Sequence, residues 1–549
     1  MDNVINKMQR KPMATGIVCA VFLFLYFIVN TMTLPLDHNE HMYVTAAHLA
    51  RNMEIYRDFA FLQMPYLPIL YDAVFRVVQA EHLLLVSRLV TLFFTVACCW
   101  LLWILVFRIT NDYAISHLSA LVFGFSYFIQ DIGAEAANYM MPMAATLLGL
   151  LIFQHVMKRP ELRLPQMFCL GLTLALAVGA KLYYAPFIFP FLVCSVIFPR
   201  YEFAWKKVVE QAGPLLMGFL VGLFPVGHYL INYPDQFIFN NFDYHILNSH
   251  WRGFDPGFNI VQRLDSVVSI FLKYPANLAF AGILALIALN AFPDSLKKGV
   301  KGLMRDPMGA LSAMLLITGL FVAVIPLPSF VYYFSAGFPF AIILGCVMLK
   351  RFPINRWAYL EKGLACLGLV VIIGSASVAF AERFGRFTRI ESWTPVQVHA
   401  VSEKIRVELG ADHKNGKIAT LSPLYAVESG MQIYPEFATG PFIFRLGNLI
   451  DPATLSKVRG VSSHTLSALF ENDPPLATIV GHEKNIEASL IAYSDRLSFR
   501  ESRFGSLTMF TMESPVYGPH GPQRQDLQVE PEIRHGDDNN PPVFVGKSQ

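Results

Sequence analysis

The stretch MATGIVCAVFLFLYFIVNTMTLPLDHNEHMY, from Met13 to Tyr43, decides the fold class. Its first part, Met13 to Met32, is an apolar run of the roughly 20 residues that a helix needs to cross a bilayer. The residues that follow the run, LPLD at 34–37, offer no small-residue cleavage site. The sequence therefore predicts an uncleaved first membrane span, followed by an acidic, histidine-rich segment at the membrane surface.

The composition of the whole chain also indicates a membrane protein. Of its 549 residues, 54% are hydrophobic and only 15% are charged, whereas soluble domains carry about 25% charged residues. The net charge is only +3, so no basic field predicts nucleic-acid binding. The seven cysteines all lie in apolar runs, where they are expected as small buried side chains.

Apolar runs of spanning length recur along the chain. They predict a polytopic α-helical membrane protein with about eleven transmembrane helices, at residues 13–32, 83–107, 114–130, 138–157, 165–181, 183–199, 211–231, 266–291, 309–326, 331–349 and 362–381. Little more than Lys181 separates the fifth run from the sixth. A tight hairpin or a re-entrant segment therefore stays open at that point, and with it the number of spans to within one.

The lysines and arginines indicate on which side of the membrane each loop lies. With a cytoplasmic N-terminus, the inner segments carry eighteen of them, and the longer outer loops carry six: Arg51, Arg57, Arg76, Lys181, Arg252 and Arg263. Positive charge accumulates on the cytoplasmic side of membrane proteins. We therefore expect a cytoplasmic N-terminus and a C-terminal part outside the cytoplasm. The short loops favour a bacterial inner membrane, with the C-terminal part in the periplasm.

Changes in composition divide the chain into three parts. Residues 1–384 form the transmembrane domain, with outer loops at 33–82 and 232–265. Residues 385–515 contain two strand-like runs, at 417–421 and 476–480, and helical spacing at 485–497, which predicts a small extracytoplasmic α/β domain. Residues 516–549 are rich in Pro, Gly, Asp, Asn and Gln and are predicted to form a disordered tail.

The first outer loop carries most of the candidate chemistry. Asp37 and Glu40 stand three residues apart, so that they share one face of a helix that begins there. The same pattern is that of a capping box, in which both acids merely start the helix. Acids and histidines this close to lipid are costly unless they are compensated, and Asp58 follows in the segment YRDF at 56–59. A functional site is therefore the preferred interpretation, and capping is the alternative.

Polar residues at other outer span ends complete the candidate set. Lys181 stands alone between two apolar runs, and Arg252 lies in the loop after the seventh run; both are candidate phosphate ligands, although a lone Lys can also snorkel to the surface. Glu135 and Asn138 open the fourth span from outside. Glu135 and His245 are candidate metal ligands, with a helix-dipole role for the acid and a structural role for the histidine as alternatives.

Several of these motifs together resemble a known superfamily. The acidic pair after the first span, Tyr43 three residues on, the segment YRDF and the Pro-rich segment QMPYLP at 63–68 are similar to the GT-C glycosyltransferases. The nearest branch is that of the protein O-mannosyltransferases and of the aminoarabinose and galacturonic-acid transferases of lipid A. The resemblance covers residues 10–380, and its motifs are short.

The resemblance implies a function for the transmembrane domain. It implies transfer of a sugar from a polyprenyl-phosphate donor to lipid A, a cell-surface glycan or a protein at the outer face. It implies catalytic roles for Asp37 and Glu40, one of them as the base. Many relatives have Asp-Glu where this chain has Asn39-Glu40, so the base is either acid, and Asp37 is preferred because it lies nearest the end of the span. A divalent metal ion also stays open. The implied substrate- or phosphate-binding residues are Lys181, Arg252, Asp58, Tyr43 and Asn138.

Physical chemistry favours the same layout without the resemblance. A sugar on a phosphate lipid already has a good leaving group, so the enzyme needs a base for the acceptor and cations for the departing phosphate. No Walker or Rossmann motif predicts nucleotide use. The alternatives are a transporter or flippase of a lipid-linked sugar, or a polymerase or ligase of surface polysaccharide. Transporters tend to have matching halves, and no such symmetry is seen in the sequence.

Overall fold

The computed structural model describes residues 2–158, 163–198, 205–254, 260–291, 296–326, 330–351, 357–410, 416–483 and 486–512. The chain is mostly helical, with one small sheet close to its C-terminal end. The predicted disordered tail, residues 516–549, lies outside the described residues.

The first nine helices form the N-terminal part of the membrane domain. They are α1 (Asp2–Thr33), α2 (His38–Leu49), α3 (Tyr66–Val78), α4 (Leu83–Thr110), α5 (Tyr113–Phe125), α6 (Tyr127–Gln130), α7 (Met140–Lys158), α8 (Arg163–Ala180) and α9 (Ile188–Ile197). Helix α8 ends at Ala180, and a 3₁₀ helix, Leu182–Phe187, leads from Lys181 into α9. The helical structure is therefore interrupted at Lys181, where the sequence predicted a break.

Eleven further helices complete the membrane domain. They are α10 (Trp205–Lys207), α11 (Gly213–Gly222), α12 (Phe224–Asn232), α13 (Pro234–Ile238), α14 (Tyr244–Trp251), α15 (Ile260–Lys273), α16 (Pro275–Ala291), α17 (Leu296–Met304), α18 (Pro307–Val324), α19 (Phe338–Arg351) and α20 (Tyr359–Phe387). A 3₁₀ helix, Val331–Ala336, precedes α19, and π-helical turns, Val208–Ala212 and Phe239–Asp243, precede α11 and α14.

Apolar helices identify an integral membrane protein, but they do not confirm eleven spans. Six helices in the described residues are long and apolar enough to cross: Ala14–Thr33, Leu83–Thr110, Met140–Lys158, Arg163–Ala180, Pro307–Val324 and Tyr359–Phe387. Two bent pairs raise the number to eight if each is one span: Trp205–Gly222 with Phe224–Asn232, bent by 55°, and Val261–Lys273 with Pro275–Ala291, bent by 100°. Helices at the three other predicted positions are shorter: Tyr113–Phe125, Leu182–Ile197 and Phe338–Arg351.

Helix α2 is short, but it positions the candidate acids. Eight of its 12 residues are buried, because it is wedged between the membrane helices and the C-terminal part of the chain. It packs against α3 and α4 on one side and against a C-terminal helix, Pro423–Glu428, on the other. The segment therefore lies inside the protein, although the sequence places it in a loop between two spans.

The C-terminal part contains six helices and a five-stranded mixed sheet. The helices are α21 (Thr394–Leu409), α22 (Pro423–Glu428), α23 (Pro441–Leu446), α24 (Pro452–Lys457), α25 (Leu466–Asn472) and α26 (Ala488–Arg496). The strands are β1 (Lys417–Thr420), β2 (Gln432–Ile433), β3 (Ala477–Val480), β4 (Arg500–Phe504) and β5 (Leu507–Thr511). The strand predictions at 417–421 and 476–480 are confirmed as β1 and β3, and the helical spacing at 485–497 as α26.

The sheet has the order β2-β1-β3-β5-β4. Strand β1 pairs in parallel with β2 and β3, whereas β5 is antiparallel to β3 and β4. All four residues of β3 are buried, as expected for a central strand that is covered on both faces. The loop that follows β3 carries His482 and Glu483 back toward α2.

Candidate active site

The site begins at the N-terminus of α2. Asp37 is its N-cap, and its Oδ1 accepts a hydrogen bond of 2.9 Å from the backbone N–H of Asn39. Glu40 Oε2 accepts one of 3.2 Å from the N–H of Asp37, which completes a capping box. The capping interpretation is therefore confirmed as geometry. Among the described residues, the second oxygen of Asp37 has no hydrogen-bond partner, so capping still leaves it free for chemistry.

Glu40 has a different environment from that of Asp37. Its side chain and that of Arg88 are both fully buried, and the guanidinium donates to both carboxylate oxygens, Nε to Oε1 at 2.8 Å and Nη2 to Oε2 at 2.6 Å. The N–H of Ala136 donates to Oε1 at 2.9 Å. Arg88 Nη1 also donates to the carbonyls of Thr31 and Leu34 at the end of α1. Glu40 thus anchors three segments around a neutralised carboxylate.

Glu135 lies beside this pair in the segment before α7. Its Oε1 accepts a hydrogen bond of 2.9 Å from Asn39 Nδ2. Burial raises the pKa of Glu135 well above its usual value, and the charges of Asp37 and Glu40 raise it further. The structure therefore brings all three predicted acids together, and Glu135 is the one whose protonated form its surroundings favour.

Lys181, directly after α8, and Asn138, just before α7, face the same region. Lys181 is buried, and its ammonium donates to Asn138 Oδ1 at 3.2 Å and lies 3.6 Å from the centre of the Tyr139 ring. Asn138 Nδ2 donates to Gln63 Oε1 at 3.1 Å and to the carbonyl of Ala180 at 2.9 Å. Lys181 also interacts electrostatically with Glu135. Burial lowers the pKa of Lys181 to about 7, and the charge of Glu135 counteracts this. The amino group is therefore held inside the protein and does not extend to the surface.

Arg252 lies among aromatic rings and beside a second arginine. Its guanidinium is 5.6 Å from the ring centre of Phe330 and interacts electrostatically with Tyr332, Tyr333 and Arg445. Burial lowers the pKa of Arg252, and the charge of Arg445 lowers it further. A negatively charged ligand would relieve this repulsion between two partly buried cations.

Arg445 comes from α23 in the C-terminal part. It donates through Nη2 to Asn248 Oδ1 at 2.8 Å and to the Tyr244 hydroxyl at 3.2 Å. Its guanidinium lies 5.1 Å from the ring centre of Trp251. The Nε atoms of Arg252 and Arg445 are both buried without a hydrogen-bond partner in the described part of the chain. Two donors therefore remain for a ligand.

The remaining predicted residues differ in how closely they join this group. Tyr43 is buried on α2 and interacts electrostatically with Glu135 and Tyr333. His245 Nε2 is 3.2 Å from the carbonyl of Leu62, and burial lowers the pKa of His245 to about 4, so the imidazole is neutral. Asp58 is occupied in its own loop, where it accepts from the N–H of Glu54 at 2.8 Å and from Arg57. Within the described residues, Asp58 makes no hydrogen bond or ion pair with the other candidates.

A group of metal-ligating side chains lies beside Asp37. His38 Nδ1 is in ion-pair contact with Glu483 Oε1, and one ligand atom each from His38, His482 and Glu483 lies within 4.8 Å of the others. The His41 ring is 5.1 Å from that of His482, and both of its nitrogens are buried without a hydrogen-bond partner among the described residues. These side chains have an arrangement that could hold a metal ion, and the metal role of Glu135 and His245 stays a prediction.

Sequence reasoning missed the partners that come from distant segments. Arg88 carried a signal, because an ionisable residue inside an apolar run is costly and therefore suggests a buried partner. Arg445, His482 and Glu483 carried none, since only the tertiary structure brings the C-terminal part over α2 and α14.

The assembled arrangement has a distinct chemistry on each of two sides. The acid side consists of Asp37, Glu40 and Glu135, of which Asp37 has a carboxylate oxygen to act as a proton acceptor. The cation side consists of Lys181, Arg252 and Arg445, lined by tyrosines. Tyr183 stacks on Tyr333 at 5.9 Å between ring centres, and Tyr139 lies 5.2 Å from Tyr332. Such a site can hold an anion next to a general base.

Comparisons with known proteins give a match in structure only. No model of a known protein family matches the chain, and no curated protein matches it in sequence. ArnT from Cupriavidus metallidurans bound to undecaprenyl phosphate matches with a TM-score of 0.56 and 12% identity, over 92% of this chain and 99% of that chain.

Archaeal oligosaccharyltransferase structures match as well. That of Archaeoglobus fulgidus tethered with an acceptor peptide has a TM-score of 0.51 and 12% identity, over 86% of this chain and 69% of that chain. AglB from the same organism, in complex with an inhibitory peptide and a dolichol-phosphate, has a TM-score of 0.50 and 11% identity, over 93% of this chain and 75% of that chain. At such identities the likeness concerns the fold. The resemblance stated from the first outer loop is confirmed at that level: this chain has the fold of the GT-C membrane glycosyltransferases.

Proposed function

We propose that this protein is a glycosyltransferase that moves a sugar from a polyprenyl-phosphate donor to an acceptor hydroxyl at the outer face of the membrane. The observation that carries the proposal is that one GT-C fold contains both a free carboxylate oxygen, on Asp37, and a cation side with unpartnered hydrogen-bond donors. Structures of that fold were solved with undecaprenyl phosphate and with a dolichol-phosphate. The acceptor is lipid A, a cell-surface glycan or a protein.

Asp37 is the base in this proposal, and Glu40 is a positioning residue. Glu40 is saturated by Arg88 and by two backbone N–H groups, so it has little capacity to accept a proton. Asp37 keeps one free oxygen at the end of a capped helix. Asp37 is therefore the acid that we assign as the base, in keeping with its position at the end of the first span.

The transfer step follows from these roles. Asp37 accepts the proton of the acceptor hydroxyl, whose oxygen forms a bond to the anomeric carbon of the sugar. The bond between that carbon and the phosphate oxygen breaks, and its electron pair leaves with the polyprenyl phosphate. Lys181, Arg252 and Arg445 neutralise the negative charge that develops on the phosphate, and such preorganised electrostatic stabilisation is a large contribution to catalysis.

The other predicted residues support the two sides. Asn138 accepts a hydrogen bond from Lys181, and Tyr43 interacts electrostatically with Glu135 and Tyr333. A divalent metal ion, if the reaction needs one, has the group His38, His482 and Glu483 beside Asp37. Asp58 is assigned to the structure of its loop in this proposal, because Arg57 and the loop backbone occupy its carboxylate.

The location belongs to the proposal as well. We infer a bacterial inner membrane, with a cytoplasmic N-terminus, residues 1–384 as the catalytic domain and residues 385–515 as a periplasmic domain. A reporter enzyme that works only outside the cytoplasm, fused after residue 390, should be active. An active cytoplasmic reporter at the same position would place every candidate residue on the wrong side of the membrane.

The function is tested by mass spectrometry of surface glycolipids and polysaccharides from cells with and without the protein. We expect one sugar to be missing without it, and its polyprenyl-phosphate form to accumulate. The wild-type gene should restore the sugar, and Asp37→Asn should not. Loss of the polyprenyl-phosphate sugar itself from the outer leaflet, with normal transfer in lysed cells, would instead indicate a flippase.

A further inference from the structure

A second group of metal-ligating side chains lies where α4 meets the C-terminal part of the chain. It consists of His82, which directly precedes α4, His399 on α21 and Glu428 at the end of α22. One ligand atom from each lies within 4.8 Å of the others. None of the three belongs to the acid side or to the cation side. Three segments far apart in sequence thus converge on one point.

The contacts within this group are close and largely buried. The Glu428 side chain is fully buried, and its Oε1 is 3.2 Å from His399 Nδ1. Its Oε2 accepts from the N–H of Leu84 at 3.2 Å, which fixes the carboxylate at the start of α4. The rings of His82 and His399 lie 3.6 Å apart, and Nδ1 of His82 is buried without a hydrogen-bond partner in the described chain. A buried polar atom without a partner costs free energy, and a bound cation would remove that cost.

The donor set and the open side point to a particular class of ion. Two imidazole nitrogens and one carboxylate oxygen are ligands that Zn²⁺ and other divalent first-row transition metals accept, and three protein ligands leave one position for water. His399 and Glu428 line a cavity of about 420 Å³ together with His48 and Arg51. His399 keeps 19% of its side chain exposed, which gives an ion a way in from the outer surface.

We propose that His82, His399 and Glu428 bind a divalent first-row transition metal ion, and that Zn²⁺ is the ion that fits. The ion would tie α21 and α22 to the outer end of α4. Helix α22 packs on α2, which begins at the candidate base Asp37, and α4 carries Arg88, which binds Glu40. The metal site is therefore connected to both helices that hold the candidate acids in place. Its role is therefore to hold the C-terminal part against the membrane domain. The inference does not depend on the sugar transfer.

The first test is the zinc content of the full-length protein after loading with Zn²⁺ and gel filtration, measured by inductively coupled plasma mass spectrometry. We expect His399→Ala to hold one zinc ion fewer per chain than the wild type. His464→Ala replaces an exposed histidine of the same part of the chain and should keep the wild-type content. His482→Ala tests the group beside Asp37, and it should not remove the ion that His399→Ala removes. Equal zinc content in the wild type and His399→Ala would overturn the proposal.

A second measurement covers the case in which His399→Ala does not fold. An ion that binds only the folded state raises the midpoint of thermal unfolding, so Zn²⁺ should raise that of the wild type above its value in a chelator. Glu428→Gln removes a ligand charge, and it should weaken zinc affinity by more than the roughly 10- to 100-fold that loss of an outer partner costs. An unfolding midpoint that Zn²⁺ does not change, or a shift that disappears only in His482→Ala, would contradict the site.

Discussion

The acid side and the cation side of the candidate site differ in how their charges are satisfied. On the acid side, Glu40 is fully bonded to Arg88 and to backbone N–H groups, and Glu135 is bonded to Asn39. On the cation side, the buried Nε atoms of Arg252 and Arg445 have no hydrogen-bond partner among the described residues. Glu40 and Glu135 are thus satisfied without a ligand and only Asp37 keeps a free oxygen, whereas the cation side is arranged for an anion.

The difference also appears in where the residues come from. The acids lie near the beginnings of α2 and α7, and one capping box and one ion pair fix them. The cations come from the end of α8, the end of α14 and α23, so the third requires the C-terminal part to be in place. The base can therefore be positioned by the membrane domain alone, whereas phosphate binding requires the C-terminal part to be docked on the membrane domain.

Asp37→Asn should have the largest effect on activity. It removes the proposed base, and general-base catalysis contributes roughly 10²- to 10⁴-fold, so kcat should fall by that factor. Asn is as good an N-cap as Asp, so the midpoint of thermal unfolding should stay the same. The measurement is transfer from a synthetic short-chain polyprenyl-phosphate sugar by purified protein.

Asp112→Asn is the matched control for this variant. Asp112 is also a helix N-cap, and it accepts from the N–H of Ala114 at 2.7 Å at the start of α5. It lies after α4, at the predicted cytoplasmic side, and should tolerate the change with full activity. Normal turnover by Asp37→Asn would remove Asp37 from the role of base.

Glu40→Gln should act on stability first. It leaves the buried guanidinium of Arg88 without its carboxylate, and breaking one partner of a buried ion pair costs about 3–5 kcal/mol. The free energy of unfolding, measured in detergent, should fall by that amount, and the double variant Glu40→Gln/Arg88→Met should lose less than the sum of the single changes. Glu210→Gln, in an exposed pair with Lys206, should change little. If Glu40→Gln is as stable as the wild type but inactive, Glu40 and not Asp37 performs the chemistry.

Lys181→Ala and Arg445→Gln should act on donor binding with smaller effects. Each removes a charged hydrogen-bond donor worth about 1.5–3 kcal/mol, so donor affinity should fall by roughly 10- to 100-fold while the Asp37 side stays intact. Arg500→Gln is the control, since Arg500 lies in the same C-terminal part with 65% of its side chain exposed. Titration with a fluorescent polyprenyl-phosphate analogue measures the affinity. An unchanged affinity in Arg445→Gln would show that the C-terminal part does not contribute to phosphate binding.

The sequence predicted the membrane helices and the position of the acids because both signals are local. Apolar runs mark helices whatever their neighbours are, and the spacing of Asp37 and Glu40 marks a helix start. The sequence leaves the number of spans open at Lys181, and it does not predict the interruption of the run at 114–130, where α5 ends at Phe125 and Ser126 caps the separate helix α6. Helix ends depend on packing that a hydropathy pattern does not contain.

The functional assignment of the acids required contacts between distant segments. Asp37 and Glu40 look alike in sequence, and only Arg88 on α4 distinguishes them. Arg445 lies 193 positions after Arg252 in the chain, and no spacing rule connects them. The two sides of the site therefore differ in predictability for the same reason that they differ in structure: one is built from local helix starts and the other from domain docking.

Glu135→Gln should have the smallest effect at neutral pH and should test whether the acid side is complete. Burial and two neighbouring carboxylates raise the pKa of Glu135 in the folded protein, so its neutral form is replaced by a neutral amide that can still bond to Asn39. A carboxyl that keeps its proton in the folded state but loses it in the unfolded state, near pH 4.3, destabilises the fold as pH rises above that value. The midpoint of thermal unfolding of Glu135→Gln should therefore gain on that of the wild type as pH rises above about 4.3. A gain that shrinks with rising pH, together with loss of activity, would mean that Glu135 is charged and acts on the substrate or a metal.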